Sequence, residues 1–341
     1  MGYRYIGSKV RVVDTIIDYL NRSVGRGGRF IDAFSGTGIV ASCAADTGWP
    51  VLVNDMMYNA CIMSEVRLIC KDEVPFISHG GYEHTIAELN ALDGMEGYFF
   101  NEYSPASGRN GEVERRYFTE ENARRIDAIL QRIMTWEEDG TISQKEKTVL
   151  IASLLFATND VANIAGTYGC FLSKWSPQSQ QALSLAPVNL RDNPVDYQVA
   201  NQDVFSLKSQ PEDVVYFDPP YTKRQYASYY HILETIAVGD KPIVTGVSGL
   251  RPWKDKASVF CYKSKALQAL CDLIVSQPAR CVLLSYSDEG HIKLEELTER
   301  LSQSGEVLVN ELRVIGRYRP NVKASSKKST VREFLIDFRH R

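Results

Sequence analysis

Arg29-Phe30-Ile31-Asp32-Ala33-Phe34-Ser35-Gly36-Thr37-Gly38 runs a short apolar strand into a glycine turn, and Val51-Leu52-Val53-Asn54-Asp55 ends a second strand on an acid. Between them Ile39, Val40 and Ala44 are spaced for a helix, and a further helical stretch covers Met57 to Cys70. Strand, glycine turn, helix, strand, acid and helix in that order make a βαβ unit and predict an α/β, Rossmann-like sheet. Ahead of the unit, Val12, Val13, Ile16, Ile17 and Leu20 form an apolar stripe, so a helix capped by Ser8 is expected there, ending at Arg26-Gly27-Gly28.

The glycine turn is shorter than the dinucleotide pattern G-x-G-x-x-G, because Ala41 stands where its third glycine would be. It is also no phosphate loop, since no Gly-Lys-Ser/Thr follows. A cofactor without a pyrophosphate fits it better than NAD. Asp55, past the second strand, is placed to take both hydroxyls of a ribose. Asp32 could meet an ammonium group, or it could simply close its strand.

The α/β pattern resumes after residue 195. Val195 to Ala200 alternates and leads to Asp203; Val214 to Phe217 is a buried-type strand; Ile243-Val244-Thr245 is a further strand candidate. Helices are expected over Ala266–Val275 and Leu294–Leu301, with Cys281 to Tyr286 as a strand between them. Val307 to Val314 and Val331 to Phe338 could pair as an antiparallel hairpin. In an open sheet the ligand crevice lies at the carboxyl ends of the strands, so Asp55, Asp203, Asp218 and Ser285 could converge there.

Asp218-Pro219-Pro220-Tyr221 is the sharpest chemical signal. Two prolines after a strand remove two backbone donors and restrict the chain. The Pro219 carbonyl can then stand near the Asp218 carboxylate, and two acceptors can grip both protons of a planar amine. Tyr221 can lay its ring beside an aromatic base. The alternative is a proline-rich strand exit with a packed tyrosine.

These residues together resemble the D12-class, Dam-like adenine-N6 DNA methyltransferases, and within them the alpha-group methylases that accompany type IIS restriction enzymes. Tyr5-Ile6-Gly7-Ser8-Lys9 matches the N-terminal cofactor motif, Asp32 to Gly38 the glycine motif, Asn54-Asp55 the ribose acid, Asp203 the acid near the cofactor adenine, and Asp218 to Tyr221 the catalytic tetrad. Leu284-Ser285-Tyr286-Ser287 is similar to a later motif that often carries Asn where Ser287 stands. The resemblance implies S-adenosyl-L-methionine as cofactor and no metal. Tyr5, Lys9, Asp32, Phe34, Gly36 and Gly38 would shape its methionine side, with Asp55 on the ribose and Asp203 on the adenine amine. Asp218, Pro219, Pro220 and Tyr221 would hold and stack the flipped target adenine.

It also divides the chain into a first catalytic part (1–74), a mainly helical inserted target-recognition subdomain (75–190), and a second catalytic part with a basic terminal hairpin (191–341). Within the insert, Ser143-x-x-Glu146 is a capping box ahead of a helical apolar run. Candidate DNA contacts in the insert are Arg109, Arg115, Arg116, Tyr168, Lys174 and Trp175; for Tyr168 a buried place over an apolar seam is the equal alternative. Arg317, Arg319, Lys323, Lys327 and Lys328 are the phosphate-side candidates.

Charge agrees with an anionic polymer held on one face. The 341 residues carry a net −3, yet Arg313 to Arg341 holds nine Lys/Arg against two Asp/Glu. The chain is 44% apolar and 24% charged, which excludes wholesale disorder. Seven cysteines without a Cys-x-x-Cys pair, and five scattered histidines, do not outline a zinc site. No bilayer-spanning run or secretory leader is read, so a cytoplasmic place is expected. The partners expected are duplex DNA and a cognate restriction endonuclease acting separately, with a monomer sufficient for an asymmetric site. Methylation of RNA adenine or another exocyclic amine, and a non-catalytic DNA-binding protein of the same fold, are the competing readings.

Overall fold

The computed structural model describes residues 6–110, 113–316 and 330–341. Seven strands form one sheet: β1 (Phe30–Asp32), β2 (Val51–Asn54), β3 (Tyr197–Ala200), β4 (Val214–Phe217), β5 (Cys281–Ser287), β6 (Gly305–Gly316) and β7 (Thr330–His340). Their spatial order is β3-β2-β1-β4-β5-β7-β6. The first five are parallel, while β7 runs antiparallel to both β5 and β6. The expected terminal hairpin is therefore present, with β7 inserted between β5 and β6. The order reverses between β1 and β4, and at such a switch point an open sheet holds its ligand beyond the carboxyl ends.

The chain forms two compact units. One contains the sheet: Gly7–Ser64, Val195–Tyr226 and the described residues from Ala257 to the end. Alternate strand residues face opposite sides. Ile31, Val215, Phe217, Val282, Leu284, Ile336 and Phe338 share one apolar cluster with Leu270, Leu273 and Ile274 of the helix Lys263–Val275 and Leu297 and Leu301 of the helix Leu294–Ser302. The intervening residues, Asp32, Tyr216, Ser285, Glu333 and Asp337, lie on the other face. There Tyr19, from the helix Val13–Tyr19, donates its hydroxyl to Asp337 Oδ2 at 2.8 Å.

That first helix starts later than the apolar stripe suggests. Ser8 does not cap it; instead the Lys9 carbonyl accepts the N–H groups of Val12 and Val13, both at 2.9 Å. Gly38 precedes the helix Ile39–Asp46 with φ of 72°, and a Cβ there would stand 2.5 Å from Ser64 Cα. Glycine is thus demanded at this position by backbone conformation and by the packed helix Tyr58–Glu65.

The second unit contains Ile6, Glu65–Pro194 and Ala227–Lys256. The expected insert at 75–190 lies inside it, but the unit begins at Glu65 and also takes a segment from beyond the proline tetrad. Its two longest helices are Glu120–Glu138 and Gln144–Val161, and both contribute to its core. The capping box forms as expected: Ser143 Oγ accepts the Glu146 N–H at 3.2 Å and Glu146 Oε2 accepts the Ser143 N–H at 2.7 Å. Asp127 gathers the N–H groups of Gly97, Phe99 and Phe100, which satisfies the start of the helix Tyr98–Tyr103. Ile243-Val244-Thr245 is not a strand. Only a Thr245–Leu250 bridge forms there, and Ile243 is 85% exposed.

Candidate active site

The site is built at the carboxyl ends of β1, β2 and β4. Asn54 locks these exits in place. Its Nδ2 donates to the carbonyls of Ala33 and Gln202, and its Oδ1 accepts the Gln202 N–H. The Ser35 N–H reaches the Asn54 carbonyl at 2.9 Å, which fixes where the glycine turn leaves β1. Asp55 then holds the turn from outside: Oδ2 accepts the Gly36 N–H at 3.1 Å and Oδ1 accepts the Met57 N–H at 2.9 Å. Each carboxylate oxygen can accept a second bond, so the same side chain can hold the loop and meet ribose hydroxyls.

Asp32 is 1% exposed, and its Oδ1 is buried without a hydrogen-bond partner among the described residues. Burial, with the charges of Asp218 and Asp55 in support, pushes its pKa up to about 8 against the pull of the Ala41 and Phe34 N–H groups. A buried carboxyl oriented by backbone donors, with one oxygen unpaired, fits the ammonium of a methionine-like cofactor. Phe34 packs edge-on against Phe217 and Phe260, at centroid distances of 5.9 and 5.7 Å. Asp203 is exposed and caps the short turn that follows it by accepting the Phe205 N–H at 3.0 Å. Beside it Phe205 is 45% exposed and stacks on Phe260, an aromatic platform that a single Phe in a loop does not announce in sequence.

Lys9 lies against the proline tetrad. Its ammonium is 3.1 Å from Asp218 Oδ1 and 4.0 Å from Glu333 Oε2, and it lies 5.7 Å from the Tyr221 ring centroid. Burial opposes the ammonium charge, but Asp218 foremost, then Tyr221, Tyr216 and last Glu333 together outweigh it, so the Lys9 pKa stands above the usual lysine value. Burial pushes the Asp218 pKa up to about 6, restrained by Lys9 and assisted by Glu333. Tyr221 is held through its carbonyl, which accepts the His291 N–H at 2.9 Å, and its ring is tilted 59° against Tyr286 at 5.3 Å. Tyr5 lies outside the described residues.

The geometry joins the glycine turn, the acid after β2 and the proline tetrad on one sheet edge, and comparison with known proteins says what shares it. Residues 5–299 match the model of the D12 class N6 adenine-specific DNA methyltransferases. The chain belongs to that family. It is 36% identical over 310 residues to the type II methyltransferase M.FokI of Planomicrobium okeanokoites, covering 89% of this chain and 47% of that protein. It is 30% identical over 335 residues to the type II methyltransferase M.CviAII of Paramecium bursaria Chlorella virus 1, covering 97% of both. With M.NlaIII of Neisseria lactamica it shares 30% identity over 305 residues, 88% of each chain. The chain spans about half the length of M.FokI and of the modification methylases StsI and LlaI. Methyltransferases of the D12 class take their methyl group from S-adenosylmethionine.

The expected DNA contacts divide sharply. Tyr168 is fully buried; its carbonyl accepts the Tyr117 hydroxyl and faces His231 Nε2 at 3.0 Å. Arg115 is also buried, with its guanidinium on Glu102 Oε2 and on the carbonyls of Glu102 and Gly246. Tyr168 thus takes the buried one of its two alternatives, while Arg115 is corrected from a surface contact to an interior tie, its guanidinium satisfying backbone carbonyls of its own unit. Arg109 is at the surface, paired with Glu120, and Arg116 is paired with Glu114. Lys174 is exposed and Trp175 half-buried. Arg317, Arg319, Lys323, Lys327 and Lys328 lie outside the described residues. Among the described residues no helix is long and apolar enough to cross a membrane.

Proposed function

We propose that the chain methylates adenine N6 at a specific site in duplex DNA, as the modifying partner of a separate restriction endonuclease, working as a monomer in the cytoplasm. The observation that carries this reading is the buried Lys9–Asp218 pair directly after β4, on the same sheet edge as Asp32 and the glycine turn. S-adenosylmethionine would supply an activated methyl group with a good leaving group. Asp32 would meet its ammonium, Asp55 its ribose, and Asp203 with Phe205 its adenine.

On the substrate side, Asp218 and the Pro219 carbonyl would accept the two N6 protons and turn the amine toward the methyl carbon. The exocyclic lone pair is delocalised into the ring, so the chemical task is to hold the amine as it loses planarity and to stabilise the positive charge that develops on nitrogen. Asp218, adjusted to about 6, is ionised at neutral pH and is basic enough to take the proton released afterward. Tyr221 would stack on the base. An amine inside a duplex cannot reach this buried carboxylate, so the adenine must leave the helix. The helical unit would read the sequence around the target, with Lys174, Trp175, Arg109 and Arg116 on its surface.

The test is transfer of labelled methyl from S-adenosylmethionine to unmethylated duplex DNA, followed by base identification. N6-methyladenine within one short sequence is expected. Label in RNA alone, or no label from a folded protein that binds the cofactor, would overturn the reading.

A further inference from the structure

We propose that Glu333 is a positioning residue for methyl transfer, a second carboxylate on the Lys9 ammonium that adds negative charge to the site where the reacting amine becomes positive. The proposal rests on the methyltransferase reading above.

Lys9 has three donors and no acceptor. Its ammonium is 3.1 Å from Asp218 and 4.0 Å from Glu333, with side-chain exposures of 5%, 15% and 17% for the lysine and the two acids. Glu333 Oε2 is buried and has no hydrogen bond among the described residues, and among the described side chains Lys9 is the cation that comes within 4.0 Å of it. Glu333 sits on β7, one strand in from the sheet edge, in register with Ser287 of β5 on one side and Arg313 of β6 on the other. Its neighbour Arg332 does not neutralise it, being paired with Asp288 at 3.5 Å. The other titratable groups facing Asp218 are Asp32 from β1, Tyr216 from β4 and Tyr221, and Asp32 faces Asp55 in turn.

The charge arithmetic follows. Lys9 and Asp218 alone form a neutral pair. With Glu333 the cluster carries one net negative charge beside the place where N6 becomes positive. In a largely buried site that charge is less screened than it would be in water. Glu333 further opposes ionisation of Asp218, which keeps that carboxylate basic enough to accept a proton.

The experiment uses the full chain, with carbon-13 in the aspartate carboxyls and the Asp218 signal assigned by its loss in Asp218→Asn. In Glu333→Gln the Asp218 titration midpoint should fall by roughly half a unit to one unit. With transfer to DNA measured in parallel, kcat should fall roughly three- to tenfold, KM for cofactor and DNA should hold, and the acid limb of the kcat profile should move down by the same amount. Glu333→Asp, which keeps the charge, should recover most of both. Thermal melts of the variants check that they fold. An unchanged Asp218 midpoint in a folded Glu333→Gln protein overturns the proposal, whether or not the enzyme turns over. Absence of transfer by the wild-type chain would instead count against the methyltransferase reading.

Discussion

The two faces of the sheet are made from alternate residues of the same strands, yet they differ in kind. Ile31, Val215, Phe217, Val282, Leu284, Ile336 and Phe338 form a continuous apolar layer under two helices. The other face buries apolar Phe30, Leu283 and Leu335 as well, but among them stand Asp32, Tyr216, Ser285 and Glu333, all but Glu333 fully buried; among the described residues Asp32 Oδ1 and Glu333 Oε2 have no hydrogen-bond partner. Burying polar groups without complete partners costs stability, so a fold accepts it only where something else is obtained. Here the apolar face supplies cohesion, and the polar face holds the groups that a cofactor ammonium and a target amine would satisfy.

The largest test of this division is Asp218→Ala. Transfer should fall by roughly 10²- to 10⁴-fold, because the amine loses its acceptor. Cofactor binding should be preserved, while the melting temperature should fall, because the buried Lys9 loses the nearer of its two carboxylates and keeps only Glu333. A full-rate Asp218→Ala enzyme would break the assignment of chemistry to this face.

The opposite result is expected across the sheet. Leu284 is 1% exposed within the apolar layer, and Leu284→Ala should cost about 2–5 kcal/mol of stability. Activity per folded molecule should stay close to normal at low temperature. Denaturant unfolding paired with active-site titration separates the two quantities. A variant equally stable but inactive would mean that the faces are not divided in this way.

A subtler effect belongs to Asp32. With its pKa near 8 it is largely protonated at neutral pH, and an incoming ammonium favours its ionised form. Binding S-adenosylmethionine should therefore release a proton, and affinity should rise with pH up to about 8. Calorimetry in buffers of different ionisation heat measures that proton. Asp32→Asn should abolish the release and flatten the pH dependence. Proton uptake on binding would place the ammonium elsewhere.

The apolar face, the glycine turn, the acids and the tetrad were legible in the sequence because each is local. A strand of alternating or continuous apolar residues, or a Ser-x-x-Glu cap, carries its reason within a few positions. What escaped is what depends on distant partners. Lys9 reads as part of an N-terminal cofactor motif, but Asp218 and Glu333, more than two hundred residues away, decide where its ammonium goes. The Lys9 carbonyl also sets the helix start, which a Ser8 cap would have placed several residues earlier. Glu333 did leave a trace. In Val331 to Phe338 the positions out of phase with Phe334, Ile336 and Phe338 are Glu333, Leu335 and Asp337, two acids on a side that a central strand must bury. Ala227–Lys256 follows the tetrad, so order along the chain assigns it to the catalytic part, while its contacts place it with the helical unit.

The same contrast between buried and exposed polar groups recurs on a smaller scale in that unit, where Arg115 and Lys174 looked alike in sequence. Arg115 is enclosed and bound to Glu102 and two carbonyls, whereas Lys174 is exposed. Removing the first leaves Glu102 and buried carbonyls without their donor, so Arg115→Ala should lower the melting temperature and leave the salt dependence of DNA binding unchanged. Removing a phosphate contact does the reverse. Lys174→Ala should melt as the parent does, weaken binding about evenly across DNA sequences, and reduce the slope of log K against log salt by about one. Fluorescence anisotropy at several salt concentrations gives both slopes. If Arg115→Ala changes the slope and Lys174→Ala does not, burial has been the wrong guide to which arginines and lysines of this unit meet DNA.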